Sequence, residues 1–404
     1  MTPAFPGRST GPQRAAIARL AAGLAALALS RAGVAAAEPF VPTSDSQVLE
    51  RLADPRSPDL EELAALQADH AAAPDSAGPT LALARRALAL GQRDADPRLV
   101  GRAEAVLAPL LRDPEPPVEA LVLHATVQQN RHAFGAALET LDQVLERDPR
   151  NAQAWLTRAT IELVQGDPAA SLRSCSHLYG PGTALWAGVC AGQARSRMGQ
   201  LRAGYDSLGA LLAGSSEAPN ALRAWLELSL GEMAVRLGDP AAAESHLQRA
   251  LAAQPGDVVT RAELADLWLD TGRPERVRDL LRGETRADIL ILRLAIAEHA
   301  LGDPAGEGHA RLLEARAEEA RLRGETVHAR EEGRLALEVR ADPGAALALA
   351  RVSFAAQREP ADARLLLESA RAAHDPGAAE PVRAWLASTG LEDARLTPFL
   401  AATP

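Results

Sequence analysis

Four times this sequence sets a glycine, a polar residue and a proline in a row: Gly166-Asp167-Pro168, Gly238-Asp239-Pro240, Gly272-Arg273-Pro274 and Gly302-Asp303-Pro304. Asp342-Pro343 and Asp375-Pro376 are partial copies. Glycine just past a helix takes the left-handed conformation that ends it. Aspartate then accepts from the free N–H groups of the next helix, and proline fits the first helical position, where its missing N–H costs nothing. Each triplet therefore predicts a tight helix–turn–helix junction. The chain is 47% hydrophobic but only 3% aromatic. Alanine and leucine dominate and β-branched runs are scarce, which favours helices packed through small side chains.

The spacing turns the junctions into a repeat. Gly272 follows Gly238 by 34 residues, and Ala152 follows Val118 by 34. Two helices per 34 residues is the tetratricopeptide period. Residues 152–179 resemble a tetratricopeptide repeat, with Trp155 at repeat position 4, Ala159 at 8, Gly166 at 15 and Ser171 at 20. Residues 224–257 are similar, through Gly231, Gly238, Ala243, Leu247, Ala250 and Pro255. Residues 118–151 match at Leu121, Ala125, Ala137, Leu141 and Pro149. The resemblance implies an all-α fold, a right-handed superhelical α-solenoid of stacked antiparallel helix pairs over residues 59–390, with at least seven pairs. One repeat cannot bury its own apolar face, so neighbours must stack. The unit at 80–114 reads as having a longer internal turn, and the helix after Pro304 as overlong, to about Arg323. The tail, 391–404, reads as an irregular cap.

The amino terminus has a different character. Arg8, Arg14 and Arg19 precede an apolar stretch from Leu20 to Leu29, and Ala35-Ala36-Ala37 forms an A-x-A pattern before Glu38. This is the layout of a secretory signal peptide, residues 1–37. The apolar core is too short to span a bilayer. Residues 38–58, with Pro39 and Pro42, read as an extended linker and amino-terminal cap. The expected location is the periplasm, or outside the cell. The formal net charge is −10, and the first 37 residues carry four arginines and no acid. An acidic body argues against nucleic acid and against an anionic membrane surface as ligands.

No set of residues points to catalysis, a cofactor or a metal. His328, Glu331 and Glu332 lack the two histidines four apart that a zinc protease helix requires. The other histidines scatter, Gly306-Glu307-Gly308 has no preceding strand, and no serine sits in a G-x-S-x-G elbow. The two cysteines say more. Cys175 falls on the second helix of its unit and Cys190 on the first helix of the next, about equally far from the turn near Gly182. In an exported chain the pair reads as a disulfide, with two small core side chains as the alternative.

In this family the first helices of successive repeats line a concave groove. Carried over by repeat position, the groove here includes Gln129, Asn130, Gln153, Thr157, Thr160, Glu232, Arg236, Glu263, Asp266 and Asp270. Its amino-terminal half is neutral and amide-rich; its carboxy-terminal half is acidic and should attract a basic or amide-rich segment. Position 6 holds Leu123, Thr157, Ser229 and Glu263, and the chain contains no lysine, so a chaperone-type carboxylate clamp is not expected. The expectation is a non-enzymatic protein–protein interaction scaffold for a protein or peptide partner, such as an envelope assembly factor. The alternatives are a polymer hydrolase with an unrecognised site and a spacer with no groove ligand.

Overall fold

The computed structural model describes residues 57–400 apart from 75, 216–217 and 323–328. The expected signal peptide and nearly all of the expected linker, together with His328, lie outside the described residues. Twenty α-helices and no strand are found among them: α1 (Pro58–Ala72), α2 (Ala77–Arg93), α3 (Pro97–Leu111), α4 (Val118–Asn130), α5 (Phe134–Arg147), α6 (Ala152–Val164), α7 (Pro168–Ser176), α8 (Ala184–Ser196), α9 (Leu201–Ala213), α10 (Asn220–Arg236), α11 (Pro240–Ala253), α12 (Val258–Asp270), α13 (Pro274–Leu281), α14 (Asp288–Leu301), α15 (Ala305–Leu322), α16 (Ala329–Glu338), α17 (Pro343–Ala356), α18 (Pro360–Ala372), α19 (Glu380–Thr389) and α20 (Thr397–Leu400). From α2 to α17 they form eight consecutive pairs, each packed on the next, which is an all-α solenoid.

The junction chemistry is as the triplets require. Gly166, Gly238, Gly272 and Gly302 all have φ between 67° and 83°. Asp167 Oδ1 accepts from the Ala170 N–H at 2.8 Å and Asp239 Oδ1 from the Ala242 N–H at 3.0 Å. The same left-handed turn recurs without glycine, at Ala95, His132, Ala341 and His374. Ala95-Asp96-Pro97 is thus a further junction of this kind, and the turn between α2 and α3 is short. A longer internal turn was expected there; what is longer is α2 itself, at 17 residues.

Small residues set the distance within pairs. A Cβ placed on Gly231 of α10 would lie 2.8 Å from the Leu247 side chain of α11. One on Gly192 of α8 would lie 2.6 Å from Leu208 of α9. Ala125 and Ala137 are fully buried between α4 and α5. Leu141, Leu208, Leu247 and Leu281, all at or near full burial, fill what the small residues leave. Cys175 of α7 and Cys190 of α8 form a disulfide, with Cα atoms 5.6 Å apart, joining one pair to the next.

The carboxy-terminal helices do more than cap the stack. They lie across the turns that end α4, α6, α8, α10 and α12. The Arg358 N–H donates to the Val164 carbonyl at 2.8 Å, and the Ala394 N–H to the Arg236 carbonyl at 2.8 Å. Trp385 Nε1–H donates to the Gly166 carbonyl at 3.4 Å. Gln357 reaches His132, and Arg364 clasps Asp270 at 2.6 and 2.7 Å. The Val164 and Arg236 carbonyls are helix-terminal, with no intrahelical donor, and Asp270 sits at a negative helix end, where arginine is favoured.

Gly166 is constrained twice, by its positive φ and by the tail. A Cβ there would fall 2.6 Å from Arg358 and 2.9 Å from the Trp385 indole nitrogen, whereas one on Gly272 would meet nothing. Gly166→Ala is therefore expected to lose more stability in chemical denaturation than Gly272→Ala, which carries only the left-handed penalty of about 1 kcal/mol. Equal losses would contradict the docked tail. Ala341→Gly should gain up to about 1 kcal/mol by the same reasoning.

Candidate functional site

The inner face is lined by the first helices α4, α6, α8, α10 and α12, and it divides into two chemically distinct halves. In the carboxy-terminal half two of the four acids expected to meet a partner, Asp266 and Asp270, already meet the chain's own arginines. Asp266 of α12 accepts from Arg293 of α14 at 2.5 Å and from Arg334 of α16 at 2.9 Å. Asp270 pairs with Arg364 of α18. Arg236, 5% exposed, donates to the Ser196 carbonyl and hydroxyl and to the Glu392 carbonyl. Nearby, Glu359 accepts from Arg330 at 2.9 Å and pairs with Arg197 at 3.4 Å. The basic segment sought in a partner is thus supplied by the chain's own carboxy-terminal arginines.

The carboxylates here titrate far from their ordinary values. Burial pushes Asp266 up, but Arg293 and Arg334 outweigh it and hold the group at about 2. Burial opposes ionisation of Glu359 as well, and Arg330 and Arg197 bring it to about 2. Glu232 has no arginine bonded to it. Burial, then the facing Glu263, raises it to about 8. Glu263 is itself raised, by burial and then by Asp266. Arg236, buried and close to Arg197, falls to about 10.

The amino-terminal half is open. Gln92, Thr126, Gln129, Gln153, Leu156, Thr157, Thr160, Trp186 and Trp225 line a pocket of about 250 Å³ with no charged side chain in its wall. Four of these, Gln129, Gln153, Thr157 and Thr160, are groove residues expected from repeat position. Asn130 turns back to the Thr126 carbonyl at 2.8 Å and is not in the wall. Thr157 is 3% exposed and accepts from Gln153 Nε2 at 3.2 Å. Sequence reasoning missed Gln92, Thr126, Leu156, Trp186 and Trp225. Trp225 stands at repeat position 2 and Thr126 at position 9, both groove positions, so the signal for those two was present.

The fold and the inner face together define a helical-repeat binding protein. Tetratricopeptide repeat models match residues 122–180 and 234–288, so the chain carries tetratricopeptide repeats over those stretches. No curated protein matches the sequence. Among solved structures it is similar to the APC/C hetero-tetramer Cut9–Hcn1, at 14% identity over 77% of this chain and with a TM-score of 0.41. It spans about half of that chain, 52%. It is also similar to PilW, a widely conserved type IV pilus biogenesis factor, at 20% identity over 49% of this chain and 92% of that one, with a TM-score of 0.39. The human IFIT1 dimer with m7Gppp-AAAA shows 15% identity over 81% of this chain and 78% of that one, with a TM-score of 0.49.

The raised carboxyl of Glu232 makes stability depend on pH. The folded chain holds the proton up to about 8, whereas an unfolded glutamate releases it near 4.5. The group's contribution is therefore full below about 4.5 and is lost as pH rises through about 8. Glu232→Gln should match the parent at or below about pH 4.5 and exceed it by a growing margin from there to pH 8, reaching roughly 1–3 kcal/mol. Denaturation midpoints of the two proteins measured across that range check this, and a constant gap would refute it.

Proposed function

We propose that this chain is an exported, non-enzymatic scaffold of the bacterial periplasm that holds an extended segment of a protein partner in the open half of its inner face. Tetratricopeptide repeats support protein–protein interaction as the broad role. The single observation that carries the rest is the contrast between the halves: one is filled by the chain's own arginines, while the other is a concave wall of amides, threonines and two tryptophans left uncovered. Half-buried tryptophans in a concave site are typical anchors of binding energy. The wall has no carboxylate, imidazole or thiol to act as acid, base or nucleophile, which favours a binder over a catalyst. The periplasmic address rests on the Arg-rich start, the short apolar core and Ala35–Ala37, and the disulfide suits an oxidising compartment. A part in envelope assembly is the role such an address suits.

Two measurements test this. Mass spectrometry of the exported protein should find a new terminus at Glu38, and an intact chain retained in the cytoplasm would contradict export. Capture from an envelope extract by the full chain should yield a protein whose recovery drops at least tenfold when Gln129→Glu and Gln153→Glu place uncompensated charge in the wall. Undiminished capture by the folded double variant would exclude this half of the groove.

A further inference from the structure

We infer that the occupant of the uncharged pocket is a proline-rich segment in the polyproline II conformation. This rests on the groove reading above and adds the chemistry of what the groove holds. Trp186 of α8 and Trp225 of α10 come from neighbouring units. Their ring centroids are 5.6 Å apart and their planes are inclined at 32°, so the two indoles form a shallow notch. Neither indole N–H bonds to any described residue, and the side-chain amides of Gln92 and Gln129 are likewise unengaged. The threonines are not similarly free. Thr126 donates to the Val122 carbonyl at 3.0 Å and Thr160 to the Leu156 carbonyl at 2.9 Å. What the wall offers is flat apolar faces beside N–H donors, with no charge.

A polyproline II chain is the complement of such a wall. It has no internal hydrogen bonds, so its carbonyls stand free to accept. Its pyrrolidine rings present flat apolar faces to aromatic grooves, and it is stiff before it binds, so little ordering entropy is lost. An ordinary extended peptide also brings a backbone N–H at each residue, more donors than the few glutamine carbonyl oxygens of this wall can accept, whereas a proline segment brings none. An acidic or basic segment would be desolvated here without a counter-charge.

The test uses the full chain and blocked synthetic oligoproline, followed by tryptophan fluorescence and calorimetry. An uncharged alanine–glutamine peptide of equal length and a neutral chito-oligosaccharide serve as the other arms. Oligoproline should bind saturably and with little dependence on salt, and the control peptide should not. Trp186→Ala and Trp225→Ala should each weaken binding about 30-fold, and Gln129→Ala, on a half-buried residue outside the core, about fivefold. Circular dichroism confirms that each variant is folded, and Trp186→Phe, which keeps a ring but loses the N–H, should lie between the parent and the alanine variant. Absence of oligoproline saturation, equal binding of the control peptide, preference for the sugar, or indifference to all four substitutions would overturn the inference. If a captured partner depends on Gln129 and Gln153 but oligoproline does not compete with it, only this inference falls. If neither the partner nor oligoproline depends on the pocket, the groove reading falls with it.

Discussion

Everything beyond a single helix pair depends on how the first helix of each pair ends. A residue in the left-handed conformation stops the helix within one step and leaves its last carbonyls pointing out of the turn. Because the repeats stack in register, those ends line up along one edge of the solenoid. They carry partial negative charge from the backbone, and α12 adds Asp266 and Asp270. Such a row demands donors and cations. The chain meets the demand with the backbone N–H groups of Arg358 and Ala394, the indole of Trp385, and the guanidinium groups of Arg334 and Arg364. The docked tail is thus a consequence of the turns.

This arrangement also explains why the two halves of the inner face differ. Where Asp266 and Asp270 face inward, arginines from α14, α16 and α18 come to meet them. Between α4 and α10 the wall is built from amides, threonines and indoles, and it remains open. The division follows charge: the neutral stretch offers nothing to draw the arginines in. Glu232 sits at the border, where burial and then the neighbouring Glu263 both oppose its ionisation.

Much of the scaffold was legible in the sequence, because its devices are local. Gly166-Asp167-Pro168 states a turn within three residues, and Gly231 with Leu247 states a close helix crossing. The junction at Ala95-Asp96-Pro97 was harder, since an alanine held at φ 49° has no distinctive signature. Trp225 was within reach at repeat position 2, while Gln92 and Trp186 lie in units too degenerate to number. The docking of the tail was not legible. The Ala394–Arg236 and Arg364–Asp270 contacts join residues far apart in sequence, and an acid that attracts a partner's arginine reads the same as one that attracts its own.

The docked tail also bears on the order of folding. A plain solenoid is one-dimensional: each unit touches only its neighbours, and structure can spread from any starting point. Here Trp385 bonds to Gly166 and Gln357 to His132, 219 and 225 residues away. Contacts of such span cannot form until long after residues 132 and 166 have been made, because Gln357 and Trp385 follow them by more than 200 residues. Closing them involves a long loop, which slows the final step relative to the local pairing of helices. The units can therefore assemble in sequence as they emerge, but the acidic interior is closed only once the helices that carry Arg334 and Arg364 are present.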